Sequence, residues 1–362
     1  MLASCHILTT QCHLLANGSG GLEYVKEAGG TFITSGLAKS FGYDCLHGDI
    51  YFYEFRGKNQ QYEVKKLKIA KPFDRRYFAP YGISSFVSKG RIMIYVINSY
   101  QNNASVEVFQ YNSATMTLRH RKTIRNSFFR NMMDLVVVGA DRFIATNFVY
   151  STYRPLQFVE LALQTPLGSV VYYDGRTATY LERKLNIAQE RRELKNASLF
   201  CEAILCINEE EHRFFPSPSG IAVDRNREYL YVASSIEEVI RVYRLKKDMS
   251  IVKQTEINLL TAPMGIFVDT EYGDLWVATQ PVLYKALQHL RNPLLREHRS
   301  PSQVLRIRIQ RDRKSWVITE PYANDGATLW GSTSVLFFQD QMLVGSWFGR
   351  LLHCNIEYPQ LT

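Results

Sequence analysis

Apolar and polar positions alternate along most of this chain with a period near two, in short runs rich in β-branched and aromatic residues. "GDIYFYEF" (48–55), "RIMIYVIN" (91–98), "SVEVFQY" (105–111), "EYLYVASS" (228–235), "DLWVAT" (274–279) and "MLVGSWF" (342–348) are separated by Gly, Asn and Asp. A period of two predicts strands, and glycine-containing polar breaks predict the turns between them. Long helical periodicity is nearly absent, so the expected class is all-β.

A frame recurs within this pattern. "PYGISSF" (80–86), "PSGIAVD" (218–224) and "PMGIFVD" (263–269) keep Pro-x-Gly-Ile and vary the residue between Pro and Gly: Tyr81, Ser219, Met264. Each frame opens a unit that passes through a polar turn to a second strand and then to an outer one such as "IRVYRL". Openings fall near Leu22, Gly82, Asp134, Gly220, Gly265 and Gly331. Six units of roughly 40 to 60 residues predict a six-bladed β-propeller of four-stranded blades, forming a single domain over 1–362. A pair of β-sandwich domains is the alternative, and it leaves the return of the frame unexplained. In a propeller the first strand of each blade lines the axis. The frame is then scaffold, and its variable residue faces the channel. The charged segment 181–215 breaks the pattern and reads as a helix or loop inserted between the third and fourth blades. A surface insertion is the plain reading, a lid or partner-binding arm the functional one.

Composition adds exclusions. Of 362 residues, 46% are hydrophobic and 21% charged, which supports a packed core and argues against disorder. The formal charge of +9 is densest in 121–130 and 306–314, without a stacking motif or recognition helix, so these read as solvated faces and not as a nucleic-acid surface. Attraction to acidic partners or anionic lipid is the remaining role for the charge. No run of apolar residues is long enough to span a membrane. Sequons at Asn17, Asn103 and Asn196, with six cysteines, favour a secretory route, although the first residues make a poor signal peptide. The expectation is that the natural targeting segment is missing from this sequence. Cys201 and Cys206 are read as a local pair or as free thiols.

Several stretches resemble one family in order and spacing. They are "FITSGL" (32–37), "APYGISSF" (79–86), "KTIRNSFFRNMMDLVVVG" (122–139), "SGIAVD" (219–224), "EYGDLWVA" (271–278) and the C-terminal block 322–356. The resemblance is to the paraoxonases and arylesterases, six-bladed propellers that hydrolyse lactones and aryl esters with calcium. It covers nearly the whole chain outside 181–215. It implies a disulfide between Cys12 and Cys354 that ties the N-terminal strand to the last blade, worth on the order of 4 to 5 kcal/mol in the chain-entropy model. Such a bond implies an oxidising compartment: secreted, in the endoplasmic reticulum lumen or on the extracellular side of a membrane.

The same resemblance assigns roles that this chain does not fill. The family's catalytic calcium acts as a Lewis acid on the ester carbonyl, held by a Glu, two Asn and an Asp-Asn pair. Those slots fall on Gly20, Met133, Ser219, Met264 and Gly265. For the structural calcium one carboxylate has become Gly21, while Asp134 and the backbone carbonyl of Ile83 remain. Calcium takes about 6 to 8 oxygen ligands, several of them anionic, and one carboxylate supplies too little charge. The histidine dyad falls on Tyr81 and Ser99, and an unperturbed phenol with a pKa near ~10 is a poor base. None of the eight histidines (6, 13, 47, 120, 212, 289, 298, 353) sits at a blade opening. Glu23 and Glu27 reach the channel mouth only if the first strand shifts. With Met133, Met264 and Tyr81 in place of oxygen ligands, the channel is expected to be plugged by apolar side chains. No Gly-x-Ser-x-Gly elbow, CxxC pair, HExxH or Walker loop offers other chemistry.

Two readings follow. In the first, a paraoxonase-like propeller has lost calcium and esterase activity and works as a binding or accessory, chaperone-like protein with membrane proteins or a lipid surface, as membrane-associated branches of the family do. The second is a calcium-dependent arylesterase or lactonase with rearranged ligands, acting on small esters and lactones. A small-ligand-binding propeller is the third possibility.

Overall fold

The computed structural model describes residues 2–7, 18–40, 48–55, 63–100, 104–181, 214–293, 295–310 and 312–357. Six antiparallel sheets follow one another along the chain. Their innermost strands are Leu22–Val25, Pro80–Ser88, Met132–Gly139, Pro218–Val223, Ala262–Val268 and Ser332–Phe338, the six openings expected from the repeat. They define blades 1 to 6. Blade 2 gains a parallel outer strand at Lys68–Ile69, and Phe214–Phe215 pairs beside blade 3. Blade 6 is built from both ends of the chain, because Leu2–Ile7 pairs antiparallel with Leu352–Glu357.

Period two shows in how the blades pack. On Arg91–Asn98, Ile92, Ile94 and Val96 enter the cluster shared with blade 1, whereas Tyr95 and Ile97 enter the cluster shared with blade 3. Both faces of such a strand are buried, so its sequence is almost continuously apolar. Among the described residues, six clusters of this kind sit one at each junction between blades. Blade 6 meets blade 1 through Leu343 and Leu351 against Ile33 and Tyr51, which closes the ring.

The Pro-x-Gly frame is a bulge. Register shifts occur between Pro80 and Ile83, between Pro218 and Ile221 and between Pro263 and Ile266, so two residues leave the ladder and turn toward the axis. The frame glycine then lies against the bulge of the next blade. A Cβ on Gly220 would stand 2.1 Å from the Met264 carbonyl oxygen, and one on Gly265 would stand 2.5 Å from that of Thr333.

Two nine-residue helices, Arg154–Ala162 and Leu283–Arg291, were not expected from the sequence. Each joins the second and third strands of its blade, 3 and 5, so both lie over the end of the channel where the inner strands begin. Pro155 in the first turn of the former was a readable start signal. Within the charge-dense stretch 306–314, one cation departs from the solvated reading. Arg306 is buried, and with Arg308 it holds the buried Asp274 carboxylate at 2.5 Å and 2.9 Å.

The segment 182–213, Cys12, Cys201, Cys206 and the sequon residues Asn17, Asn103 and Asn196 lie outside the described residues. Cys354 is disulfide-bonded. The residue whose Cα the strand register sets opposite it is Cys5.

Candidate functional site

Each blade delivers one residue to a ring around the axis: Gly20, Tyr81, Met133, Ser219, Met264 and Thr333. The ring contains no carboxylate and no side-chain amide. Tyr81 is its largest member and is 5% exposed. Its ring lies where a side chain at Gly20 would begin, since a Cβ there would stand 2.4 Å from Tyr81 Cδ2. The Thr34 hydroxyl donates to the Tyr81 carbonyl, and Trp347 Nε1 donates to the Tyr81 hydroxyl over 3.3 Å. Burial, and secondarily the charge on Asp134, raise the Tyr81 phenol above its ordinary pKa, so it remains protonated. Tyr81, Met264, Trp347, Phe348, Leu37 and Ala286 form a cluster against which Met133 packs. This is the apolar plug expected from the sequence.

The plug divides the channel. Above it, under the two helices, lies a cavity of about 300 Å³ walled mainly by apolar side chains. Below it lies a second space of about 300 Å³ containing Glu23 and Asp134. Ser219 faces neither as a free group, because its hydroxyl donates to the Pro263 carbonyl at 2.8 Å. Ser99, the other dyad slot, donates weakly to the Met132 carbonyl at 3.5 Å, beside the upper cavity.

Glu23 corrects the expectation that it stays away from the channel. It lines the lower space, where its Oε1 accepts from Ser85 N at 2.8 Å and Ser85 Oγ at 2.6 Å. Burial pushes its pKa up to about 7, against these two hydrogen bonds. Asp134 accepts from Leu135 N at 2.9 Å and Ile221 N at 3.1 Å. Burial pushes it also to about 7, with the nearby Glu23 charge adding to the rise. Glu23 sits three residues from the Gly20 slot, so counting along a two-residue period does not place it on the same face as that slot. Thr333 was also missed, because blade 6 lacks the Pro-x-Gly spelling.

Calcium, the metal implied by the resemblance, does not fit these donors. Gly20 and Gly21 carry no ligand, and a side chain at either would strike Tyr81 or, for Gly21, Ile83 as well. Both oxygens of Asp134 already take backbone N–H groups. Among the described residues, no three His, Cys, Asp or Glu side chains converge on a metal-sized site. His289, on the helix over blade 5, is fully buried with neither ring nitrogen hydrogen-bonded. Burial, aided by Arg299 and His298, lowers its pKa to about 4, so it is neutral packing against Phe348.

Comparison with known proteins adds to this geometry. A family model described as Arylesterase matches residues 4–190 and 209–356. The chain is 36% identical over 365 residues to mechanosensory abnormality protein 6 of Caenorhabditis elegans, covering 99% of this chain and 88% of that protein. It is 28% identical over 352 residues to human serum paraoxonase/lactonase 3, covering 95% and 88%. Among solved structures, a gluconolactonase from Xanthomonas campestris superposes with a TM-score of 0.53 at 13% identity, over 98% of this chain and 90% of that one. A luciferin-regenerating enzyme gives 0.54 at 11% identity, over 98% and 95%. At these identities the two structures speak to the fold alone.

Proposed function

Since the chain belongs to the arylesterase (paraoxonase) family, we propose that it is a member whose esterase centre has become packing, and that it works as a binding or accessory protein in the secretory pathway. One observation carries this reading: the Tyr81 ring occupies the space beside Gly20 where a ligand carboxylate would have to stand. Ester and lactone hydrolysis by this family needs charge stabilisation at the developing oxyanion. A plug of Tyr81, Met133 and Met264 supplies none at the ring. The relatives' names point the same way: the 36% relative is named for a phenotype, and the 28% relative for a reaction. The disulfide on Cys354 accords with an oxidising compartment.

The test is hydrolysis of phenyl acetate and of a δ-lactone, with calcium and with a chelator, beside calorimetric titration of calcium. The expected result is background turnover that the chelator does not change, and no calcium binding. Chelator-sensitive turnover, or tight binding of one or two calcium ions, would establish the alternative, a calcium-dependent arylesterase or lactonase.

The upper rim supports a membrane-facing role. Tyr153, Leu156 and Val159 on and beside the Arg154–Ala162 helix are 64%, 52% and 48% exposed, and the chain carries a formal charge of +9. An apolar face on a basic protein suits an anionic lipid surface. Co-sedimentation with phosphatidylserine vesicles is expected, reduced severalfold in the Leu156→Asp, Val159→Asp double variant. Equal sedimentation of both proteins would remove this face from the account.

A further inference from the structure

We propose that Arg299 and Arg350, held on the Trp330 indole at the upper rim between blades 5 and 6, form a binding site for a phosphate monoester, free or as a lipid headgroup. Neither these three residues nor Arg296 beside them lines either space in the channel, so failure of the site would leave the loss of hydrolysis untouched.

Three segments at one end of the ring build it. Arg299 lies between the Leu283–Arg291 helix and the third strand of blade 5. Trp330 leads into the first strand of blade 6, and Arg350 lies between the second and third strands of that blade. The indole is a rigid base, 9% exposed: its Nε1 donates to the Phe348 carbonyl, and a Cβ on Gly349 would stand 2.8 Å from its Cε2. The Arg299 guanidinium carbon is 3.8 Å from the ring centroid and that of Arg350 is 5.4 Å from it. A guanidinium laid on a ring face keeps its in-plane N–H groups for the oxygens of an anion.

Nothing in the protein answers these charges. Among the described residues, the side chains of Arg296, Arg299 and Arg350 make no ion pair and no hydrogen bond. Burial, and then the charges on Arg296 and Arg350, lower the Arg299 pKa from its ordinary value. The guanidinium stays protonated at neutral pH all the same, so like charges are gathered at a cost that a bound anion relieves. Glu297 on the same segment and Asp325 on the turn beside Arg299 are exposed and pair with none of them. A net charge of +9 draws any anion loosely, whereas two guanidiniums fixed on one indole select by geometry and valence. A phosphate monoester carries about −1.5 to −2 at neutral pH and three acceptor oxygens, so it can satisfy both forks where a carboxylate satisfies one.

The experiment uses the purified full chain near pH 8. Calorimetry with glycerol 3-phosphate, glycerol and acetate tests the soluble source. Co-sedimentation with phosphatidylcholine vesicles containing phosphatidate, beside phosphatidylserine vesicles matched in surface charge, tests the lipid source. Glycerol 3-phosphate is expected to bind saturably, acetate about tenfold more weakly and glycerol not detectably. Preference for phosphatidate over matched phosphatidylserine assigns the site to a lipid headgroup; equal sedimentation assigns it to soluble monoesters. Arg299→Gln and Arg350→Gln are each expected to weaken binding about tenfold through loss of a charge-assisted contact, and Arg296→Glu to weaken it by placing an anion in the patch. The Leu156→Asp, Val159→Asp double variant is expected to leave glycerol 3-phosphate binding unchanged. The proposal fails if neither glycerol 3-phosphate nor phosphatidate outdoes its control, or if both glutamine variants bind as the unmodified protein does. Should those variants not fold, Arg296→Glu decides, and undiminished binding there overturns the site.

Discussion

Replacing Gly220 by alanine is expected to cost about 3 kcal/mol of stability or more, read as a lower midpoint in urea denaturation with an unchanged slope. The added methyl would stand 2.1 Å from the Met264 carbonyl oxygen and 2.9 Å from Gly265 Cα, both backbone of the next blade. Backbone held in two sheets cannot yield as a side-chain tip can. Gly273→Ala provides the contrast. That glycine has φ +73° in a turn with nothing within 4 Å of a new Cβ, so it bears only the strain of left-handed backbone, about 1 kcal/mol. Equal losses in the two variants would show that the frame glycines are kept for chain flexibility and not for contact between blades.

Glu23→Gln is expected to stabilise the protein by about 3 kcal/mol at pH 8 and to leave it nearly unchanged near pH 4. The sign follows from the raised folded-state pKa. Glu23 titrates at about 7 when folded and near 4.5 when unfolded, so the native state holds the extra proton between these values. The favourable contribution is complete below the unfolded value and is lost as pH rises through 7. Gln keeps an oxygen for the two Ser85 donors and never ionises. Asp134 shares the lower space and titrates with Glu23 as a coupled pair, so the variant should also sharpen the remaining transition. Denaturation midpoints of both proteins between pH 4 and pH 8 provide the check. Parallel curves would mean that Glu23 is hydrated and ionised throughout.

Much of the architecture was readable because two-sided burial leaves a direct trace. A strand such as Arg91–Asn98 must be apolar at odd and even positions alike, and the frame spells out its bulge with Pro and Gly. The residue types at the slots implied by the resemblance were readable because most of them stand immediately before a blade opening, as Tyr81 does before Gly82, Ser219 before Gly220 and Met264 before Gly265. What sits in the emptied space was not readable. Whether Tyr81 turns toward Gly20 depends on Thr34, Trp347 and the neighbouring blade, residues separated from it by up to 266 positions. The Arg154–Ala162 and Leu283–Arg291 helices were hidden because each is only nine residues long and leaves an apolar side over the cavity.

The sequence by itself determined the six-bladed class, the order of the blades and the residue types at the slots that the resemblance assigns, because these depend on residue type and local period. The tertiary structure alone decided that the Tyr81 ring closes the metal slot and that Glu23 joins Asp134 in the lower channel. It also decided that the Cα of Cys5 stands opposite that of Cys354 and that an apolar-walled cavity remains under the helices. These are contacts between blades distant along the chain, and the close packing of six sheets around one axis selects them.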